Sequence, residues 1–163
     1  MTLHFAPESN NWATPWPIFK KIESRFGPFH LDPCCTDLTA KCNTYITKKQ
    51  NGLNQSWDIA VDRAKPTRVF MNPPYGREIA KWMKKAYEES RKGVYVICLI
   101  HPRTDTAWWH DYAMKAAQII FIRGRVQFEM PGKKPKDSQF PSCLVVFSPF
   151  YIDSTPKLDT MTL

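Results

Sequence analysis

The chain has 163 residues and a formal net charge of +8, from 23 lysine and arginine residues against 15 aspartate and glutamate residues. This length is typical of one domain, so we predict a single domain over residues 1–163 with its core at about residues 11–150 and loose termini. The sequence has no apolar run of 18 residues and no signal peptide, which excludes a membrane protein and favours a soluble cytoplasmic one.

The first elements are a helix and two short strands. Residues 1–11 lack periodicity and are expected to be a loose arm, whereas the spacing of apolar residues predicts a helix over 16–26 that stops at Gly27. A strand over 29–32 ends in Asp32, and Pro33 is expected to terminate it. A second short strand is predicted over 44–47.

The middle of the chain predicts the core of a sheet. A strand over 69–71 feeds a diproline corner, a helix follows over 78–92, and the nearly all-apolar segment 94–100 is typical of a strand covered on both faces. A helix capped by Asp105 or Thr106 is predicted to run through Met114.

The last third predicts strands at 118–122, 126–128 and 143–147, with a basic loop over 130–139 and a disordered tail over 153–163. Alternating strands and helices followed by a hairpin indicate an α/β fold, with a mostly parallel sheet and an antiparallel C-terminal edge hairpin. Such a chain has little room for a separate target-recognition domain.

Five cysteines without disulfide-scaffold spacing indicate reduced intracellular thiols. A zinc site from Cys34, Cys35, Cys42 and a histidine is conceivable, but adjacent cysteines serve one tetrahedral ion poorly and no Cys-x-x-Cys occurs. We therefore expect no metal site.

The diproline corner Asn72-Pro73-Pro74-Tyr75 carries the main functional signal. Two prolines make a rigid elbow, where the Asn72 side-chain oxygen and the Pro73 carbonyl offer two acceptors for one exocyclic amine. Tyr75 offers an aromatic face on which the ring bearing that amine can stack. These features favour a flipped nucleobase as ligand, although four such residues also occur in a plain turn.

In its motif order, the chain resembles S-adenosylmethionine-dependent amino methyltransferases. The order comprises Thr14-Pro15, Asp32-Pro33-Cys34-Cys35, Asn51-Gly52-Leu53 and Asn72 to Gly76. With the segments 103–110, 124–128 and 140–147, the set is similar to phage-encoded DNA N6-adenine methyltransferases, the phage Dam-like family, over about residues 11–148. The resemblance implies a Rossmann-like fold and methyl transfer from S-adenosylmethionine to adenine N6 in a bacterial host.

That resemblance also implies roles for individual residues. Thr14 and Pro15 would contact the methionine part of the cofactor, and Asp32 would bind its α-amino group. Cys34 would line the same wall of the cofactor pocket. Asn51 would bind the cofactor adenine and Leu53 would pack on it, although the family commonly has Asp where this chain has Asn51. The catalytic set would be Asn72, Pro73, Pro74 and Tyr75, with Asn72 also touching the cofactor.

The basic charge is clustered, which suits a polyanionic partner such as double-stranded DNA. A cluster on the helix 78–92 is interpreted as a mostly solvated face, and the late cluster as functional. We expect no obligate protein partner. The nominated DNA-binding residues are Arg103, Arg123, Arg125, Lys133, Lys134 and Lys136.

Three alternatives stay open at this point. An RNA or protein-glutamine amino methyltransferase can use the same corner, because a glutamine amide also presents an NH2 group. A catalytically inactive nucleic-acid-binding homologue, or a plain α/β binding domain, would also have this fold class.

Overall fold

The predicted helices and strands occur in the predicted order, and two further strands lie at 136–137, inside the predicted basic loop, and at 157–162. The computed structural model describes residues 12–62, 64–151 and 155–163. In these residues the α-helices are α1 (Trp16–Phe26), α2 (Ile79–Arg91) and α3 (Ala107–Asp111), and single 3₁₀ turns cover Gly52–Asn54 and Ala113–Lys115. The strands are β1 (Leu31–Cys35), β2 (Thr44–Thr47), β3 (Arg68–Met71), β4 (Tyr95–Ile100), β5 (Gln118–Arg123), β6 (Gln127–Phe128), β7 (Lys136–Asp137), β8 (Cys143–Phe147) and β9 (Lys157–Thr162).

Seven of these strands form one sheet in the order β2-β1-β3-β4-β8-β5-β9, and β6 pairs with β7 in a separate ribbon. β1, β2, β3 and β4 pair in parallel, and β8 runs antiparallel to both β4 and β5. The mostly parallel α/β sheet with antiparallel C-terminal pairing is therefore confirmed. The antiparallel strand itself lies between β4 and β5.

The C-terminal segment is a strand, so the prediction of a disordered tail is wrong. β9 runs parallel to β5 and forms the outer edge of the sheet, with register pairs from Gln118↔Lys157 to Arg123↔Thr162. Asp159 and Met161 are half-buried and the other four residues are exposed. The backbone ladder with β5 is therefore supported by Met161, which packs against the hydrophobic core, and by Asp159, which pairs with Arg25 of α1. The predicted loose arm, residues 1–11, and residues 152–154 lie outside the described part of the chain.

The first strand is longer than predicted, because Pro33 does not end it. β1 continues to Cys35, and its register with β2 shifts between Asp32 and Cys35. Pro33 lies within that irregularity, where the strand has no regular ladder that would need a proline N–H. Asp32 is therefore the second residue of β1 and lies inside the strand.

The sheet is covered on both faces. On one face, Phe19, Ile22 and Phe26 of α1 pack in the same cluster as Phe70 and Leu99. On the other face, residues of α2 and α3 pack in a cluster with the alternate residues of β3 and β4. This burial explains why β4 is apolar along its length.

Parallel strands bring several loops to one edge of this sheet. β1, β3 and β4 point the same way, so the segments after Cys35, Met71 and Ile100 emerge together at the carboxyl edge. β5 runs in the direction of β4, because both are antiparallel to β8, so Arg123 lies at that edge too. Open α/β sheets bind their ligands at this edge.

Candidate active site

A pocket at the carboxyl edge gathers four of the residues predicted to bind the cofactor. Thr14, Asp32, Cys34 and Asn72 all line it. Pro15 is buried next to Thr14 and precedes α1 directly. Trp12 and Lys41 also line the pocket, although neither was assigned a role from the sequence.

Asp32 is the buried acid of this pocket, with 5% of its surface exposed. Its carboxylate accepts hydrogen bonds from the backbone N–H groups of Cys34, at 3.4 Å, and of Lys41, at 3.1 Å. Burial raises the pKa of Asp32 to about 6, because these hydrogen bonds only partly offset the lost hydration. A cation placed against this carboxylate would recover the energy lost to desolvation.

Thr14 supplies a second sign that this pocket takes a polar ligand. The residue is 2% exposed, and its buried hydroxyl oxygen has no hydrogen-bond partner in the described part of the chain. A buried polar atom without a partner costs free energy, about 1–3 kcal/mol. A ligand with a polar end would satisfy the hydroxyl, as expected for an amino-acid moiety.

The turn that carries Asn51 and Leu53 lies against the end of β1 but does not line this pocket. A Cβ at Gly52 would come within 2.1 Å of the Pro33 carbonyl oxygen, so only glycine allows this approach. Asn51 has φ of 56° and its side-chain oxygen accepts from the Leu53 N–H at 3.2 Å. Their contacts with the cofactor adenine stay a prediction.

Asn72 links the pocket to the diproline corner. Its side-chain nitrogen donates to the Trp12 carbonyl oxygen at 2.8 Å, and its side-chain oxygen accepts from the Tyr75 hydroxyl at 3.0 Å. The Trp12 carbonyl therefore fixes the amide so that its oxygen remains the acceptor. That oxygen has two lone pairs, and one is left after the Tyr75 hydrogen bond.

The Asn72 backbone is held in place as well. The Cys34 thiol donates to the Asn72 carbonyl oxygen at 3.3 Å, so β1 is tied directly to the corner after β3. Burial raises the pKa of the Cys34 thiol well above its usual value. The thiol therefore stays neutral and acts as a donor, not as a nucleophile.

Tyr75 has one ring face covered by a residue that sequence reasoning did not assign. Its ring stacks on His101 with centroids 4.2 Å apart and planes at 18°, and Phe128 meets it edge-on at 5.9 Å. The Tyr75 hydroxyl also lies 3.3 Å from the Leu99 carbonyl oxygen. Burial lowers the pKa of His101; the hydrogen bond to the Pro141 carbonyl raises it and the Arg103 charge lowers it, both by less. This imidazole is therefore neutral at pH 7.

Two further cavities meet at the Tyr75–His101 pair. The first, of about 230 Å³, is lined by the aromatic residues Trp12, Phe128 and Phe140 together with the segment 136–139. The second, of about 360 Å³, lies on the side of Gly76, Arg77 and Arg103. The only sequence signals for Phe128 and Phe140 were the matched segments that end and begin with them.

Two of the six nominated DNA-binding residues line these cavities. Arg103 lines the larger cavity and places its guanidinium 3.9 Å from the Phe140 ring centroid. Lys136 lines the smaller one. The other four are exposed and line none of the described cavities: Arg123, Arg125, Lys133 and Lys134.

The lysines of α2 only partly fit the prediction of a solvated face. The side chains of Lys81, Lys84 and Lys92 are 67%, 53% and 65% exposed, but that of Lys85 is only 15% exposed. Lys85 pairs at 2.8 Å with the buried Glu89, which also accepts from the Trp57 N–H. Lys85 is thus structural.

Within ranges 12–62, 64–151 and 155–163, no three His, Cys, Asp or Glu side chains are grouped to hold a metal ion. In the same ranges, every helix is too short or too polar to span a bilayer.

Comparisons with known proteins agree with this geometry. A DNA N-6-adenine-methyltransferase from Escherichia phage T1 is 27% identical over 123 residues, which cover 76% of this chain and 49% of that protein. A DNA N-6-adenine-methyltransferase from Haemophilus phage HP1 (strain HP1c1) is 28% identical over 142 residues, covering 85% of this chain and 78% of that one. The chain thus spans about half the length of the phage T1 relative. Because the model of the Dam family, DNA N-6-adenine-methyltransferase, matches residues 4–160, this chain belongs to that family.

Proposed function

We propose that this chain transfers a methyl group from S-adenosylmethionine to the N6 amine of an adenine flipped out of double-stranded DNA. The observation that carries the proposal is the position of Asn72 between two sites. It lines the pocket of Thr14 and Asp32, and its side-chain oxygen bonds Tyr75, which lines the aromatic cavity. A donor in the pocket and a base in the cavity would meet at this corner.

The pocket fits the amino-acid end of the donor, since the Asp32 carboxylate suits an ammonium and the Thr14 hydroxyl needs a polar partner. When bound, S-adenosylmethionine supplies a methyl group on a positively charged sulfur. The chain contributes position: Asn72 is oriented by Trp12, and Cys34 fixes its backbone. Orientation of this kind supplies much of the catalysis in such transfers.

At the acceptor side, the remaining lone pair of the Asn72 oxygen would hold one hydrogen of the adenine amine, and the Pro73 carbonyl the other. Both acceptors favour the transition state, in which positive charge grows on that nitrogen. The base would stack against the aromatic wall of the cavity that Tyr75 lines, with His101 holding the Tyr75 ring in position. Aromatic stacking offsets part of the cost of flipping, which is a few kcal/mol.

DNA is favoured over RNA or a protein glutamine by basic residues in the two cavities, by further exposed basic residues, and by the names of the relatives. Lys136 lines the aromatic cavity and Arg103 the neighbouring one, Arg123 lies exposed at the carboxyl edge, and Arg125 and Lys134 are exposed. Arginine can read guanine edges, whereas lysines mainly hold phosphates. We place this activity in the cytoplasm of a bacterial host, where phage DNA is replicated.

The experiment is transfer of tritium from labelled S-adenosylmethionine to unmethylated DNA, followed by digestion to nucleosides. We expect label in N6-methyldeoxyadenosine, and none in RNA or protein incubated in parallel. Asn72→Ala and Tyr75→Ala should abolish transfer while S-adenosylmethionine still binds, and Asn43→Ala, which removes an exposed amide, should leave the rate unchanged. Label in another product, or full activity of Asn72→Ala, would refute the proposal.

The DNA surface has its own test. Replacing Lys134 with Gln should weaken binding to every DNA sequence alike and reduce the slope of log affinity against log salt by about 0.9. Lys157→Gln is the matched control, because this exposed lysine starts β9 at the opposite edge of the sheet. If both variants had the same slope of log affinity against log salt, Lys134 would not contact DNA.

A further inference from the structure

The donor pocket contains a buried lysine that neither the motifs nor the proposed chemistry uses. Lys41 lines the pocket together with Thr14 and Asp32, and it is only 9% exposed. Lysine is almost never this buried unless a partner offsets the loss of hydration. The partner of this ammonium therefore has to be identified.

The protein holds Lys41 next to Asp32 but gives its charge no salt bridge. The Lys41 backbone N–H donates to the Asp32 carboxylate at 3.1 Å, which fixes the two residues side by side. The six salt bridges found in the described part of the chain do not include Lys41. Its ammonium lies 4.2 Å from the Trp16 ring centroid, a cation–π contact that does not replace a hydrogen bond to an anion.

Two carboxylates favour the ammonium form of Lys41, but neither forms a salt bridge with it in the described part of the chain. Burial lowers the pKa of Lys41, and the carboxylates of Glu129 and Asp32 act in the opposite direction. Glu129 is held beside the pocket by backbone hydrogen bonds to Ala13 at 2.7 and 2.9 Å. An anionic ligand group would complete this arrangement.

We propose that Lys41 binds the α-carboxylate of S-adenosylmethionine, so that Asp32 and Lys41 together recognise the zwitterionic amino-acid end of the donor. The inference rests on the proposed function and deepens it. One acid and one base, adjacent in one pocket, match an ammonium and a carboxylate on one carbon atom. The unpartnered Thr14 hydroxyl lies in the same pocket and can bond either group.

This assignment makes the pocket selective for a donor that keeps its carboxylate. A ligand with the ammonium alone would satisfy Asp32 but leave Lys41 buried without an anion. A charged hydrogen bond lost in this way corresponds to about 10- to 100-fold in affinity. The product S-adenosylhomocysteine, which keeps both groups, should stay bound through the same pair.

The test compares two ligands by isothermal titration calorimetry, without any turnover. Wild-type protein should bind S-adenosylmethionine about 10- to 100-fold more tightly than decarboxylated S-adenosylmethionine, which keeps the ammonium and the sulfonium. Lys41→Met should lose most of this preference, because its affinity for S-adenosylmethionine falls and that for the decarboxylated ligand does not. Asp32→Asn should lower the affinity for both ligands.

Lys20→Met is the matched control, since Lys20 also lies over Trp16, at 5.8 Å, but is 64% exposed and outside the pocket. Its ligand preference should equal that of wild type. Equal wild-type affinities for the two ligands would overturn the role of Lys41 and leave the methyl-transfer proposal standing, even if Lys41→Met does not fold. If a folded Lys41→Met variant lost equal affinity for both ligands, the proposed role of Lys41 would also be overturned. Failure of wild type to bind either ligand would overturn the proposed function as well.

Discussion

Lowering the pH from 7 to 5 should weaken S-adenosylmethionine binding through one buried carboxyl group. Burial raises the pKa of Asp32 to about 6, against the opposing effects of the Lys41 and Cys34 backbone N–H groups and of the Lys41 charge. The donor ammonium requires the ionised carboxylate, so protonation of Asp32 competes with binding. Burial also raises the pKa of Cys34 and Cys35, so both thiols stay neutral over this range.

The size of the effect follows from that pKa. With a pKa of about 6, roughly one Asp32 side chain in ten is protonated at pH 7 and roughly nine in ten at pH 5. Apparent affinity should therefore fall about tenfold across this interval. Folding stability responds with the opposite sign: a raised carboxyl pKa stabilises the fold at low pH, and this contribution is lost as the pH rises from 3.8 to about 6.

Calorimetric titrations at pH 5, 6 and 7 would measure the effect, with Asp32→Asn as the reference. The variant should bind weakly at every pH and without the tenfold slope. A flat profile for wild type would show that Asp32 is already ionised or does not contact the donor. A tenfold slope retained in Asp32→Asn would assign the titration to another group.

Variants at three further positions test the packing that supports the fold and the site. Gly52→Ala should destabilise the protein by about 1–3 kcal/mol in urea unfolding, because its Cβ would overlap the Pro33 carbonyl; unchanged stability would mean that the turn moves freely. Glu89→Gln should lower the free energy of unfolding by about 3–5 kcal/mol, because this 1% exposed carboxylate accepts three hydrogen bonds. Without the carboxylate, the free energy of unfolding should also depend less on pH at acidic pH. His101→Ala should lower the turnover number with little change in donor affinity, because Tyr75 loses its stacking partner, and His101→Phe should restore most of the rate. Equal rates for His101→Ala and His101→Phe would show that the stack does not position Tyr75.

The elements with a strong apolar pattern were predictable from the sequence. α1 is bounded as predicted, because the apolar side chains Phe19, Ile22 and Phe26 must face the sheet. The two apolar strands β4 and β8 were found for the same reason. β9 was missed because four of its six residues are exposed, and its order depends on pairing with β5 and on contacts of Met161 and Asp159 with segments far away in the sequence.

The candidate site was also predictable only in part. Thr14, Asp32, Cys34 and Asn72 were identified from motif order, and they line one pocket. The stack of His101 on Tyr75 and the burial of Lys41 were not predictable, because both depend on distances between segments far apart in sequence. A lone histidine or lysine in a polar loop has no local pattern that reveals such contacts.

The position of β8 has a consequence for how the protein is made. β4 pairs with β8 from Val96↔Phe147 to Ile100↔Cys143, so the strand next to the one that leads into the diproline corner lacks one neighbour until more than forty further residues have been synthesised. A ribosome-bound chain that ends before Cys143 would present the bare edge of β4, which is apolar on both faces. Premature termination in this interval should therefore yield aggregating fragments rather than a smaller, partly active enzyme.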